Sequence, residues 1–191
     1  MARTYVKAKR AEKEAETRQR IVEATLALHT AIGPAQTTIS MIAERAGVQR
    51  HTVYAHFPDE QTLLMACSGL HVERDPLPDP VEWEAVNDPD VRLRKALTAL
   101  YSWYARNREI VGRVLRDAEF HAATRNAMAN RFVPPLVAIQ ESLAGDLGSE
   151  ARAALHLAMS FYTWRTLVDE SGLTPAAAVD LMVSAVRGAA R

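Results

Sequence analysis

Residues 37–57 read TTISMIAERAGVQRHTVYAHF, and this stretch decides the fold of the N-terminal part of the chain. Thr38 suits the N-cap of a short helix, because its hydroxyl can accept a hydrogen bond from the first turn. The apolar residues of that helix follow the spacing of a single helical face: Ile39, Ile42, Ala43 and Ala46. Gly47 ends it with a residue that tolerates a left-handed backbone, and a second short helix is predicted over 49–56. Two short amphipathic helices joined by such a turn predict a helix-turn-helix.

The outward face of the second helix differs from an ordinary solvated surface. Val53 and Phe57 point inward, whereas the other side chains form hydrogen bonds and include no acid: Arg50, His51, Thr52, Tyr54 and His56. Solvated helix faces usually mix Glu and Asp with Lys. Hydrogen-bonding groups without carboxylates suit phosphate oxygens and base edges. We therefore favour a recognition helix for double-stranded DNA, and the alternative is an exposed face without a partner.

Charge is distributed unevenly along the chain. The 191 residues have no net charge, but residues 1–57 carry a net +4 and residues 58–191 a net −4. A basic end joined to an acidic remainder is typical of a protein in which one half meets a polyanion. A difference of this size also fits a solvated surface, so the charge pattern alone leaves both interpretations open.

Composition excludes several classes of protein. A single cysteine, Cys67, can form neither an internal disulfide nor a thiolate metal site, and we interpret it as a small core residue. Asp117, Glu119 and His121 do not share one helix face, so we interpret them as exposed side chains and expect no metal.

The sequence also lacks the motifs of common enzymes and of membrane or secreted proteins. Hydrolase, phosphate-loop and zinc-peptidase motifs are absent, so we expect neither enzymatic activity nor a cofactor. No apolar run is long enough to cross a membrane, and the first residues lack a signal-peptide core, which predicts a soluble cytoplasmic protein.

Apolar periodicity predicts an all-α fold. A helix over 17–32 precedes the two short ones, and Asp59 can cap a fourth. Residues 74–90 hold four of the nine prolines and are predicted to be a connection. Longer helical segments follow near 90–106, 108–118, 120–145, 149–171 and 174–190. Pro134-Pro135 is expected to kink the third of these, and Pro175 suits the first position of the last one.

Three motifs carry a resemblance to a known family. In chain order they are R-x-R-I-V-x-A-T-L-x-L, T-T-I-x-x-I-A-E-R-A-G-V and T-V-Y-A-H-F-P. With them, the segment from Thr17 to Leu64 resembles the DNA-binding domain of the TetR/AcrR family of bacterial transcriptional regulators. The resemblance implies a three-helix DNA-binding domain with a basic N-terminal arm over 1–60. It also implies a helical effector-binding and dimerisation domain over 61–191.

The same resemblance implies roles for individual residues. Phosphates would be held by Thr38, Thr52, Tyr54 and His56, and base edges would be faced by Ser40, Arg50 and His51. The basic arm before Thr17 would add minor-groove or backbone contacts. Two positions depart from the family pattern: Glu60 stands where a phosphate-binding Lys is frequent, and Gln49 replaces the usual Ser that opens the recognition helix. An acid at position 60 repels DNA, although it suits the helix dipole.

The C-terminal half has two apolar stripes in the 149–171 segment. Leu155, Met159 and Tyr162 form one stripe. The other is expected to face a second copy of the chain, together with three residues of the last helix: Leu157, Phe161, Trp164 and Val168, with Ala178, Met182 and Ala185. The alternative is a thick monomeric core.

Large or polar side chains in the same half predict an effector pocket, and the alternative for each is an ordinary core position. They are Tyr101, Trp103, Tyr104, Phe120, His121, Met128, Phe132, Met159, Tyr162 and Arg165. The resemblance then implies a homodimeric repressor that binds a palindromic operator and is released by an unidentified small molecule. The alternative is a helical ligand-binding protein of the same fold with weak or lost DNA binding.

Overall fold

The computed structural model describes residues 2–190, with side chains from residue 7 onward, and this part of the chain is all-α. Its helices are α1 (Ala2–Ile32), α2 (Ile39–Ala46), α3 (Arg50–His56), α4 (Glu60–Arg74), α5 (Val81–Glu84), α6 (Pro89–Ala118), α7 (Ala122–Arg131), α8 (Val133–Ala144), α9 (Ser149–Met159), α10 (Phe161–Arg165) and α11 (Pro175–Ala189). A 3₁₀ turn over Pro34–Gln36 follows α1, and a π-helical turn over Thr166–Glu170 follows α10. Within the described range, no helix combines the length and apolar character needed to cross a membrane.

The chain divides into two compact units. The first unit comprises Met1–Pro76 and Arg113–Arg131, and the second comprises Leu77–Gly112 and Phe132–Arg191, so α6 supplies residues to both. This division differs from the predicted boundary at residue 60, because α4 buries three residues in the core of the first unit: Leu63, Leu64 and Cys67.

Local capping chemistry in the first unit is as predicted. Thr38 accepts a hydrogen bond from the backbone N–H of Met41 at 3.3 Å and caps α2. Gly47 ends α2 in the left-handed conformation, with φ 64°. Asp59 caps α4 by accepting the Thr62 N–H at 2.7 Å. The predicted start of the second unit's last helix is also confirmed, since Thr174 caps α11 with Pro175 at its first position.

The first helix begins much earlier than the predicted 17–32. It starts at Ala2 and runs for 31 residues, and residues 7–16 are exposed on all sides. The segment is rich in Ala, Lys, Glu and Arg, which have high helix propensity and extend a helix without needing a packed face. The predicted basic arm is therefore a helical extension of the first unit from residue 2 onward.

The second unit departs from the predicted segments at three places. The predicted 90–106 and 108–118 segments are one helix, α6. Pro134-Pro135 lies in the first turn of α8 and separates it from α7, because a proline is tolerated only where its missing N–H has no partner to lose. The 149–171 segment is interrupted at Ser160, whose side chain caps a new helix by accepting the Tyr162 N–H.

Candidate nucleic-acid interface

The turn between α2 and α3 is held by backbone hydrogen bonds. The Gly47 N–H bonds to the carbonyls of Ala43 and Glu44, and the Val48 N–H bonds to the Ala43 carbonyl at 2.9 Å. This pattern satisfies the last carbonyls of α2 and fixes the direction in which the chain leaves the helix. The orientation of α3 relative to α2 is therefore set by the turn itself.

The inward faces of α2 and α3 belong to one apolar core. Val53 is completely buried and Phe57 is 2% exposed, and both pack with Ile21 of α1 and Leu63 of α4. The Arg18 guanidinium lies 4.7 Å from the centre of the Phe57 ring, where it adds a cation–π contact at the end of α3. Because Val53 and the Phe57 that follows α3 are buried in this core, α3 presents its outer face as a fixed surface.

The predicted DNA-contact residues all lie on the surface of this unit. Six are exposed and two are half-buried: Thr38, Ser40, Gln49, Arg50, His51 and Tyr54 in the first group, and Thr52 and His56 in the second. Gln49 occupies the N-cap position of α3 but its side chain makes no capping bond, so its amide is left to bind elsewhere. Thr38 accepts the Met41 N–H and keeps its own O–H for an external acceptor.

Glu60 has a partner inside the first unit. Its carboxylate lies 3.3 Å from Nε2 of His121, whose Nδ1 lies 2.7 Å from the Thr124 hydroxyl. His121 therefore lies beside the first turn of α4, and its placement in an effector pocket stays a prediction. The Glu60 carboxylate, which departs from the family pattern, therefore already has a partner within the first unit.

A polar junction that the sequence analysis missed joins the end of α1 to the end of α6. Asp117 is completely buried and accepts the Ala35 N–H at 2.9 Å and the Arg116 Nε–H at 2.7 Å. Arg116 also donates to the Ile32 carbonyl at 3.1 Å. The interpretation of Asp117 as an exposed carboxylate is wrong, because the backbone N–H and the guanidinium compensate its burial. Among the described residues, no three His, Cys, Asp or Glu side chains are grouped as metal ligands.

Gly33 is required at this junction. Its φ is 96°, and a Cβ there would lie 2.5 Å from Oδ2 of Asp117 and 2.6 Å from Nη2 of Arg116.

His29 and Cys67 are buried close to this junction. Burial lowers the pKa of His29 to about 4, so the imidazole is neutral at neutral pH. The buried Cys67 thiol lies 3.4 Å from that ring, and burial raises the pKa of the thiol to about 12, which agrees with a core role.

The second unit contains an aromatic cluster. Tyr101 and Tyr104 donate hydrogen bonds to the carbonyls of Ala158 and Met159, at 2.9 and 2.7 Å, and burial raises the pKa of both phenols. Four buried or half-buried rings join them, with neighbouring ring centres no more than 6.5 Å apart: Trp103, Phe132, Phe161 and Trp164. The indole N–H of Trp164 is buried without a hydrogen-bond acceptor in the described chain.

The residues predicted for the effector pocket are not all buried, and not all of them belong to the second unit. Phe120 and Met128 belong to the first unit, and Phe120 is 68% exposed. Tyr162 is 40% exposed, with the Arg165 guanidinium 5.1 Å from its ring centre. The buried part of the prediction consists of Tyr101, Trp103, Tyr104 and Met159, with Phe132 half-buried.

The predicted dimer stripe is mostly internal. Four of its residues are buried in their own unit and offer no surface to a partner: Phe161, Trp164, Ala178 and Met182. The break at Ser160 turns α10 so that its aromatic side chains join the cluster around Tyr104. Leu157, Val168 and Ala185 remain at least partly accessible, and Leu157 is 56% exposed.

The N-terminal region of the chain is similar in sequence to known bacterial regulatory proteins. Residues 21–67 match the model of the bacterial regulatory proteins of the tetR family. Over 92 residues the chain is 38% identical to the HTH-type transcriptional regulator TtgR of Pseudomonas putida, a match that covers 48% of this chain and 44% of TtgR. It is 30% identical over 122 residues to the HTH-type transcriptional repressor KstR of Mycolicibacterium smegmatis, covering 64% and 53% of the two chains. The matches thus span about half the length of these relatives.

Solved structures show the fold over nearly the whole chain. A tetR-family transcriptional regulator from Streptomyces coelicolor superposes with a TM-score of 0.60 at 20% identity, covering 92% of this chain and 80% of that one. A transcriptional regulator from Aquifex aeolicus gives 0.56 at 16% identity, with 90% and 98% covered.

Proposed function

We propose that the chain is a transcriptional regulator of the TetR family that binds double-stranded DNA, since its residues 21–67 match that family's model and it is 38% identical to TtgR over 92 residues. The observation that carries the proposal is the outer face of α3. It presents five hydrogen-bonding side chains and no carboxylate on a helix whose inner face is fully packed. The second helix of a helix-turn-helix is the recognition helix, and α3 has both this position and a surface suited to DNA.

The position of each side chain on α3 supports a division of labour. Arg50 and His51 stand at the start of the helix, where a recognition helix contacts base edges in the major groove. Thr52, Tyr54 and His56 lie further along, and their hydroxyl and imidazole groups suit phosphate oxygens, as does Thr38 at the start of α2. We assign Ser40, on the first turn of α2, to the group that faces base edges.

Affinity for DNA is expected to fall steeply with salt. If the dimer neutralises about six phosphates, binding weakens by roughly 10³-fold between 50 and 200 mM salt, because each contact releases a condensed counterion. Fluorescence anisotropy with a duplex that the protein selects from a random library measures this slope.

The alternative function, a ligand-binding protein without DNA binding, predicts that no duplex is selected or that binding does not respond to salt. Glu60 is the residue that favours this alternative, because an acid lies on the surface at the start of α4. Glu60→Gln removes the charge and tightens binding only if α4 approaches the phosphates. A flat salt response in both proteins would contradict the proposal.

Substitutions on α3 are expected to separate reading from positioning. Arg50→Ala should relax the preference at one base pair per half-site by roughly 1–3 kcal/mol, because it removes a contact to a base edge. Tyr54→Phe and His56→Ala should weaken binding to all sequences alike, because a phosphate carries no sequence information. Titration against the selected duplex and its single-base variants distinguishes the two effects. Equal losses on every duplex for Arg50→Ala would show that this side chain reads no base.

We also propose that the regulator is a homodimer. The exposed side of α11 opposite its buried stripe has no charged residue over three turns: Ala177, Leu181, Ser184, Ala185 and Gly188. Its other flank is charged, and there Asp180 and Arg187 pair with Arg94 and Asp90 of α6. With the exposed Leu157 on α9, this uncharged side replaces the predicted stripe as the proposed interface. Small side chains allow two helices to approach closely.

The proposed regulator is a repressor that a small molecule releases from a palindromic operator. The aromatic cluster of the second unit supports an effector site, because the buried Trp164 N–H has no acceptor among the described residues. An oxygen or nitrogen of a ligand can supply that acceptor. Such a ligand shifts the equilibrium between two arrangements of the dimer only if it binds one arrangement more tightly than the other. Release follows if that arrangement holds the two recognition helices at a spacing other than one DNA turn, about 34–36 Å.

A further inference from the structure

An ion pair lies at the start of α4, on the surface of the first unit. The Glu60 carboxylate is 3.3 Å from Nε2 of His121, and Nδ1 of the same ring is 2.7 Å from the Thr124 hydroxyl. A hydroxyl can donate or accept a hydrogen bond. The ring therefore keeps both contacts in its neutral form with a proton on Nε2, and in its doubly protonated form. A proton gained by this ring changes the charge beside Glu60 without changing its contacts.

This pair follows the proposed recognition helix closely in the chain. Glu60 comes four residues after His56, the last residue of α3, so their Cα atoms are no more than about 14 Å apart. The Glu60 side chain is 54% exposed. The screening length is about 10 Å at 0.1 M salt and greater at lower salt. A phosphate bound at the end of α3 is therefore within reach of the Glu60 charge.

The charged groups around this pair are accounted for on each neighbouring element. On α1, burial lowers the pKa of His29 to about 4, which outweighs the opposite effect of Asp117. The Asp117 carboxylate at the end of α6 is paired with the adjacent arginine. On α7, the Arg125 guanidinium donates to two backbone carbonyls at the end of α6. Before α4, the hydrogen bond from the Thr62 N–H lowers the pKa of Asp59.

His121 is the remaining group that can change its charge near neutral pH, because histidine is the side chain that ordinarily titrates between pH 5 and 8. When the ring is neutral, the Glu60 carboxylate presents a negative charge to the DNA. When the ring is protonated, the imidazolium balances that charge. A complex with a polyanion favours the protonated ring, so binding takes up protons.

We propose that His121 makes DNA affinity dependent on pH by neutralising Glu60 when it is protonated, an inference that rests on the proposed function. Affinity rises as the pH falls, with uptake of up to one proton per protomer. Two unit charges about 10 Å apart in water change a binding constant roughly twofold. One phosphate near each Glu60 of a dimer therefore gives an effect of about fourfold.

The test measures DNA affinity at pH 6 and at pH 8 in low salt, with a duplex that the wild-type protein selects from a random library. His121→Gln keeps a side-chain N–H for Glu60 but cannot gain a proton. It should bind like the wild type at pH 8 and about fourfold more weakly at pH 6. Glu60→Gln lacks the repelling charge, so it should bind about fourfold more tightly than the wild type at pH 8 and like it at pH 6.

Comparison between proteins is necessary because His51 and His56 on α3 are also histidines, and their protonation strengthens binding at low pH in every variant. Glu73→Gln is the matched control for Glu60→Gln. It removes an exposed carboxylate about 20 Å further along α4, and it should leave the affinity unchanged at both pH values. Circular dichroism at pH 6 and pH 8 checks that each variant is folded.

The outcomes distinguish this inference from the proposed function. A wild-type protein that selects no duplex overturns the proposed function, and the inference falls with it. A His121→Gln protein that follows the wild type at both pH values overturns the inference alone. Equal weakening at both pH values also overturns it, because His121 would then only hold the start of α4 in place. A Glu60→Gln protein that binds like the wild type at pH 8 would show that the carboxylate does not affect the phosphates.

Discussion

Leu181→Asp is expected to convert the protein into a monomer that no longer binds its operator. Leu181 is 46% exposed on the uncharged side of α11, which the proposed interface would cover. In a two-fold interface every substitution acts twice, so the variant places two carboxylates in a desolvated surface at a cost of several kcal/mol. A monomer has one recognition helix and loses half of the contacts. Sedimentation velocity and circular dichroism should show half the mass with unchanged helical content.

Two further variants make this result interpretable. Val91→Asp is the matched control, because Val91 is 51% exposed in the first turn of α6 and outside the proposed interface. It should stay dimeric, and an acid near a helix N-terminus is favourable. Trp164→Asp should instead unfold the second unit, since Trp164 is 1% exposed inside the aromatic cluster. A Leu181→Asp protein that is still dimeric at micromolar concentration would place the interface on another face.

The parts of the fold that follow from local chemistry could be predicted from the sequence. Thr38 and Asp59 each cap a helix as predicted, Pro175 begins α11 and Gly47 ends α2, because these signals depend on residues at most three or four positions away. The outer face of α3 was predictable for the same reason, since helical periodicity alone separates Val53 from its polar neighbours.

Features that depend on distant partners could not be predicted. Periodicity shows that a helix has an apolar stripe, but it does not show what covers that stripe. Phe161 and Trp164 were assigned to a partner chain although they pack against Tyr104, because the break at Ser160 leaves little sequence signal. Asp117 accepts from a backbone N–H 82 positions away, and nothing in its sequence surroundings marks it as buried.

The junction around Asp117 leads to the second large expected effect. Gly33→Ala should lower the free energy of unfolding of the first unit by roughly 2–4 kcal/mol, which urea denaturation can measure. The backbone of Gly33, with φ 96° and ψ 158°, lies in a region that residues with a Cβ hardly populate. The added methyl group would also press on the Asp117 carboxylate and the Arg116 guanidinium, which hold the end of α1.

Two further variants bear on the causes of this destabilisation: Gly47→Ala shows the cost of a Cβ at a left-handed glycine with room around it, and Asp117→Ala tests the contact at residue 33. Gly47 also has a positive φ, but a Cβ there meets only the end of the Arg20 side chain at 3.9 Å, so backbone strain alone should cost about 1–2 kcal/mol. Asp117→Ala removes one of the groups on which the new methyl presses. Combined with Gly33→Ala it should therefore destabilise the protein less than the sum of the single changes, although it leaves the Ala35 N–H without its acceptor. Additive losses would mean that contact between the new methyl group at residue 33 and the buried carboxylate contributes nothing to the destabilisation.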